Sequence, residues 1–314
     1  MLSDLLAVVG SADFLIASIR MTTPLLLAAM GGIYSEKTGV LNISLEGMML
    51  VGAFTGYYIS YSSGSAAAGI IAAIIIGALM GLFHALMTVT LRCDQVVMAV
   101  GINVFALGVT SSLFRTLFGV TTSQLESPGL EPIAIPILSK IPVIGSVFFE
   151  HIWLVYLAFL MVPVTHYIMF YTNWGLNIRS VGEHPRAADT LGVNVYAVRY
   201  ICVTFSGIMA ALGGASLSIG GLNSFLDNMT AGRGFIAFAA IIFGKFNPIG
   251  TFLACLLFGT ADAFQLRLQA MGSPLPHHLF LMLPYLVTLL TLIFFVGPSI
   301  APRSQGVPYV RDER

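Results

Sequence analysis

Charge is what this 314-residue chain has least of: Asp, Glu, Lys and Arg make up 9% of it, against about 25% in an ordinary soluble domain. A water-borne particle of this size cannot cover its surface with so few charges, so its outer solvent is mostly lipid. The two signs also cancel, 14 Lys and Arg against 14 Asp and Glu. That leaves no net charge to attract phosphates and excludes a basic nucleic-acid binder. Cysteine is scarce as well. Cys93, Cys202 and Cys255 lie far apart, in or beside apolar runs, and make neither a disulfide framework nor a metal-ligand cluster. The amino terminus lacks the basic region of a cleaved signal, with Asp4 and Asp13 where one needs Lys or Arg, so the first segment is expected to be kept. Apolar runs such as 66–81 are continuous and lack the period-two alternation of porin strands. What remains is 57% hydrophobic with a mean hydropathy of +0.91, the composition of a polytopic membrane protein.

A helix needs about 20 apolar residues to cross a bilayer. On that ruler the chain is an all-α, polytopic transmembrane helical bundle forming one domain over 1–314. About nine spans are expected, at 12–33, 40–60, 66–90, 94–118, 151–171, 199–221, 232–245, 248–268 and 277–297. The seventh is short for a span, and the eighth carries Asp262, Gln265 and Arg267, of which Asp262 and Arg267 are candidates to pair. Basic residues set the orientation. Placing 173–199 and the tail in the cytoplasm puts Lys37, Arg92, Arg179, Arg186, Arg199, Lys245, Arg303, Arg311 and Arg314 inside. Arg20, Arg115, Lys140, Arg233 and Arg267 are then outside. The amino terminus is then outside and the carboxyl terminus cytoplasmic. The segment 119–150, with Pro128, Pro132, Pro136 and Pro142, is expected to be an ordered, non-helical outer cap.

Two stretches correspond at an offset of 181 residues: Gly69, Ala73, Ala78 and Phe83 stand opposite Gly250, Ala254, Gly259 and Phe264, and Val96 opposite His277. With the orientation above the copies, about 12–118 and 199–297, run in opposite directions. Inverted repeats of this kind place a pathway near the midplane. Small-xxx-small spacing in packed membrane helices is the competing reading.

Asn42, Ser44 and Glu46 lie at the entrance of the second span, which is expected to be broken beside Glu46 with Gly47 relieving the break. Either this discontinuous helix lines a pathway, or Glu46 caps or pairs near the interface. A second polar stretch, about 173–198, contains Pro185 to Leu191, a short helix with Pro in its first turn and Gly192 as its stop. It suits docking into a partner's groove or lying on the bilayer surface.

The stretches 31–54, 94–115, 174–214 and 231–264 resemble the permease subunits of bacterial ABC importers of the ribose and branched-chain amino-acid type, in their nucleoside-importer branch. "SEKTGVLNISLEGMML" is close to that branch's signature. "GLNIRSVGEHPRAADTLGVNV" resembles the cytoplasmic loop whose short helix couples the permease to its ATPase. Asp94, before Gln95, departs from the Asn of relatives. The resemblance implies no catalytic residue in this chain and no metal or cofactor of its own; ATP and Mg belong to a separate ABC ATPase subunit. Lys37, Lys140 and Lys245 all lie outside any GxxxxGK[ST] pattern. It also implies a second, homologous permease, an extracytoplasmic substrate-binding lipoprotein and a bacterial inner-membrane location.

The pathway of such an importer needs hydrogen-bonding groups for a sugar and apolar faces for a base, which Asn42, Ser44, Glu46, Asn103, Asn223 and Phe235 can supply. Coupling is assigned to Glu183, His184, Pro185, Arg186, Ala187, Ala188 and Gly192, with Ala187 and Ala188 as the small apolar face offered to the ATPase. Nucleosides are the expected substrates, with riboflavin or a simple sugar as the alternative. An ion-coupled secondary transporter titrating Glu46 or Asp262 is the alternative of a different class. His84, His166, His277 and His278 lack ligand spacing and are expected to pack or sit at interfaces.

Overall fold

The structure is a computed structural model describing residues 11–119, 126–134, 144–270 and 301–311, with the single positions 282, 286, 289 and 290. In chain order the elements are α1 (Ala12–Lys37), α2 (Leu45–Ser63), α3 (Ala66–Ala85), α4 (Gln95–Phe118), β1 (Ile133–Ala134), α5 (Ile144–Phe148), β2 (Glu150–His151), α6 (Trp153–Tyr171), α7 (Asn173–Glu183), α8 (Pro185–Thr190), α9 (Val195–Leu217), α10 (Arg233–Phe243) and α11 (Pro248–Ala270). Wider π turns extend α3 over Leu86–Thr90 and α9 over Ser218–Leu222.

Polar residues sit where helices begin, satisfying N–H groups that have no partner within the helix. Ser11 caps Phe14 N, Thr172 caps Gly175 N at 3.1 Å, and Asn194 caps Ala197 N at 3.0 Å. The Asp94 carboxylate accepts from Val96 N and Val97 N, both at 2.9 Å. Asp94 is therefore the cap of α4.

Apolar helices in lipid gain little from hydrophobic burial against each other, so close backbone approach has to hold them together. The chain meets this need with small residues. The central helix α9 packs chiefly on α1, α3 and α2, while α11 lies on α1. A β-carbon on Gly214 would overlap the carbonyl of Met49 in α2, and one on Gly81 would stand 2.8 Å from Thr204 Cα. One on Gly259 of α11 would stand 2.7 Å from Thr22 Cα of α1.

Several expectations change. Among the described residues six helices are long and apolar enough to cross a membrane: Ala12–Lys37, Ala66–Thr90, Gln95–Phe118, Trp153–Tyr171, Val195–Leu222 and Pro248–Ala270. The expected span 40–60 is helical only from Leu45. Its hydroxyls and tyrosines dilute its hydropathy, which α2 tolerates because most of it is buried among other helices. The expected 232–245 is the 11-residue α10. The ninth expected span, 277–297, with His277 and His278, lies outside the described residues, as do Lys140, Pro136, Pro142 and Arg314. The outer segment is not wholly non-helical, since it contains α5. It also holds a departure from the all-α reading, an antiparallel pairing of Ile133 with His151 and Ala134 with Glu150.

Candidate functional site

Residues 38–44, between α1 and α2, are where the helical ladder stops. Gly39 takes φ +82°, a left-handed turn that a side chain resists, and the break runs to Ser44. The helix is therefore interrupted before Glu46, and Gly47 lies inside α2, where the lack of a side chain lets it meet Asn103 and Ala106 of α4. Irregular backbone at membrane depth must be satisfied from within the protein. Leu41 N donates to Gln95 Oε1 at 2.7 Å, and the carbonyl of Leu41 meets His84 Nε2 at 3.2 Å. Asn42 N donates to Glu36 Oε1 at 2.8 Å, and Asn42 Nδ2 to Ser206 Oγ of α9 at 3.0 Å. Ser44 Oγ donates to Asn42 Oδ1 at 2.5 Å. Asn103 clamps the end of the break, donating to the carbonyl of Ile43 at 3.2 Å and accepting from Gly47 N at 2.8 Å.

Glu46 completes this assembly. Its Oε1 accepts from Thr230 Oγ1 at 2.6 Å and Gly232 N at 2.9 Å, and its Oε2 accepts from Gly234 N at 2.6 Å. Gly232, at φ +85°, starts α10 with no side-chain cap of its own. The carboxylate from α2 thus caps α10 across the fold, where the positive end of the helix dipole favours it. A side chain on Gly234 would collide with the Glu46 backbone, so the approach depends on glycine.

The structure gathers Asn42, Ser44, Glu46 and Asn103 around one break and leaves Phe235 beside them, 46% exposed at the start of α10. Asn42 and Ser44 have no exposed surface, and their hydrogen bonds are made within the chain. Of these residues Phe235 is exposed and Asn103 is half-buried. Asn223 stands apart. It adopts φ +52°, accepts from Ser127 N at 2.8 Å through its carbonyl, and lines a separate cavity of about 540 Å³ with Arg20, His151, Arg233 and Leu266. Arg233 pairs there with Asp262 at 3.6 Å, while Arg267 pairs with Asp13 at 3.6 Å. Asp262 and Arg267 therefore do not pair with each other. Five residues on a helix are about 140° apart around the axis, and only three- or four-residue spacings face one another. His151 donates Nε2–H to the carbonyl of Val147 at 2.8 Å, and burial pushes its pKa down.

At the end of the bundle where α1 stops, α7 leads into α8. Pro185 begins α8, and Gly192, at φ +88°, ends it; Gly192 N and Val193 N fold back onto the carbonyls of Asp189 at 2.9 Å and Ala188 at 3.0 Å. This is the short helix read from the sequence. Its faces differ from expectation. Ala188 is 3% exposed and packs inward, because in a six-residue helix one side must cover the bundle. Glu183, His184, Arg186, Ala187 and Gly192 are exposed, with Pro185 partly so. The outward apolar group is Leu191, at 85% exposure. No local pattern marked it, since Ala187 and Ala188 one turn earlier offer apolar groups of their own. Thr230, Gly232 and Gly234 carried no signal either, since their part is to receive Glu46 from 184 to 188 residues away.

Residues 14–292 match the family described as the permease component of branched-chain amino acid transport systems. The guanosine ABC transporter permease protein NupQ of Bacillus subtilis is 40% identical over 95% of this chain and 96% of its own length. The nucleoside ABC transporter permease protein NupC of Lactococcus lactis is 36% identical over 98% of this chain and 99% of its own. The Haloferax volcanii permease protein TsgC13, provisionally named for glucose, is 36% identical over 84% and 80%. No solved structure matches at comparable stringency.

Proposed function

This chain belongs to the family of permease components of branched-chain amino acid transport systems, and from that premise we propose that it is the translocation subunit of a nucleoside importer. A permease of this kind is a membrane transport component and not an enzyme; ATP hydrolysis belongs to a separate subunit. The observation that carries the nucleoside reading is the almost end-to-end alignment with permeases named for guanosine and for nucleosides. The relative named for glucose keeps a simple sugar as the second reading.

The working complex in this reading joins the chain to a second permease, an ABC ATPase holding ATP and Mg, and an extracytoplasmic binding lipoprotein, in the bacterial inner membrane. Ligand enters from the lipoprotein and leaves inward when ATPase closure moves α8. The clustering of basic residues supports a cytoplasmic carboxyl terminus: Lys37, Arg199, Arg303 and Arg311 all lie at the end of the bundle that carries α7 and α8. Packing supports an inverted repeat. At the offset of 181, α1 corresponds to α9 and α3 to α11, and both equivalent pairs, α11 with α1 and α3 with α9, pack closely.

The test is uptake of tritiated guanosine by cells lacking their own nucleoside uptake and expressing this chain with the transport genes beside its own. Uptake should require ATP, survive an ionophore, and be competed by unlabelled nucleosides and not by glucose or riboflavin. Competition by glucose or riboflavin would move the substrate to that class, and loss of uptake on collapsing the ion gradient would make the chain a secondary carrier.

A further inference from the structure

Residues 301–311 do not trail from the bundle; they are threaded into it. Ser304 N donates to the carbonyl of Gly182 in α7 at 2.9 Å, and Ser304 Oγ donates to the same carbonyl at 2.7 Å. Gly306 N donates to the carbonyl of Gly39 in the helix break at 3.1 Å. Both receiving positions are glycines for a reason of space. A β-carbon on Gly39 would overlap Ser304, and one on Gly182 would overlap the carbonyl of Lys37 and touch Pro302 at 3.4 Å. Arg199, buried in α9, gives one donor to the carbonyl of Thr38 at 3.2 Å and two to the tail, to Val307 O at 3.5 Å and Ser304 Oγ at 3.4 Å.

The tail also touches both ends of the coupling route. At one end Arg311 Nε lies 3.0 Å from Asp189 Oδ2 in α8, and the Tyr309 ring packs 5.6 Å from that of Tyr196, just beyond α8. At the other end Gln305 Nε2 donates to Glu36 Oε2. The second oxygen of Glu36 holds Asn42 N, and the break so held runs directly into Glu46 and its cap on α10.

We propose that residues 301–311 form a coupling strap, in which Arg311 and Gln305 tie the α8 docking helix to the Glu36-held helix break and pass its movement toward Glu46 and α10. The proposal rests on the reading of α8 as the ATPase contact. Gln305 and Arg311 are positioning residues: they meet no substrate and act through Glu36 and Asp189.

The experiment uses the complete importer in proteoliposomes, with guanosine as the transported probe. It compares Gln305→Ala, Arg311→Asp, and Arg311→Asp combined with Asp189→Arg. Three quantities are read: ATPase retained on purification, guanosine uptake, and ATP hydrolysed per guanosine moved. Arg311 is exposed, so its variants keep the fold even where Gln305→Ala unsettles it. The strap predicts full ATPase retention with an ATP cost per guanosine raised roughly fivefold, within the range by which residues along a coupling network alter it. The paired exchange should return the ratio toward wild type. A filler role would lower protein amount and uptake together and leave the ratio unchanged, which overturns the strap. Loss of the ATPase from Gln305→Ala or from Arg311→Asp alone also overturns it, by making the tail part of the docking surface. A wild-type complex that moves guanosine without ATP would overturn the importer reading as well, so the two failures are distinguishable.

Discussion

Glu46 uses both carboxylate oxygens on backbone and hydroxyl donors of the α10 entrance. Glutamine is nearly isosteric but replaces one acceptor with a donor, so it must set an amide N–H against an N–H or hydroxyl donor. Leaving a buried donor unpaired costs about 1–3 kcal/mol, and about 1.4 kcal/mol is tenfold in an equilibrium. Glu46→Gln should therefore lower guanosine uptake by roughly tenfold at equal membrane amount. Uptake equal to wild type would mean that the α10 entrance needs no cap. His151 makes a different prediction. Its Nε2–H is bonded to the Val147 carbonyl, and burial holds its pKa below the usual 6.5, with Arg20 adding to the depression and Glu150 opposing it. The folded protein resists a proton that the unfolded chain accepts, so stability is full above about pH 6.5 and falls as pH drops through that value. Melting of the purified protein should show this loss as pH falls below about 6.5, and His151→Asn should flatten it. Parallel profiles for the two proteins would exclude His151 as the source.

At the scale of elements, α8 shows how far a pattern carries. Pro185 at its start and Gly192 at its end made the helix legible, because both act through local backbone geometry. Which side faces outward was not legible, because six residues hold too little periodicity to choose a face, and the bundle turned Ala188 inward and Leu191 outward. Leu191→Glu should insert and fold normally yet release the ATPase on purification. Ala188→Glu should instead reduce the folded amount, since an unpaired charge in that contact costs several kcal/mol. If the two variants exchanged these effects, the assignment of faces would be wrong. α2 shows the reverse case: its position was legible from the polar signature, but by hydropathy alone it falls short of a spanning helix, because it is sheltered by protein instead of lipid.

For the whole molecule, the association of helices rests on glycine contacts spread over distant parts of the chain. Gly214→Val should abolish folded protein, because even the first carbon of the side chain would overlap the Met49 carbonyl at the crossing of α9 and α2. Gly101→Ala, at a position with open space around it, should leave the yield unchanged. Size-exclusion profiles of the two proteins in detergent check the contrast, and equal profiles would remove close packing as the cause.

The sequence by itself determined that the chain lives in lipid, that it is helical, which stretches are polar and where the short helix begins and ends. Scarcity of charge, apolar run length, and Pro and Gly geometry each act within a few turns of chain and need no partner to be read. Only the tertiary structure decided that Asn42 and Ser44 are spent inside the helix break, that Asp262 pairs with Arg233 and not Arg267, that Glu46 caps α10, and that the tail returns to Glu36 and Asp189. Each of these joins groups far apart in the chain. A buried polar group must find some partner in a membrane protein, but no local pattern names which one, and only the packing of the helices brings the two together.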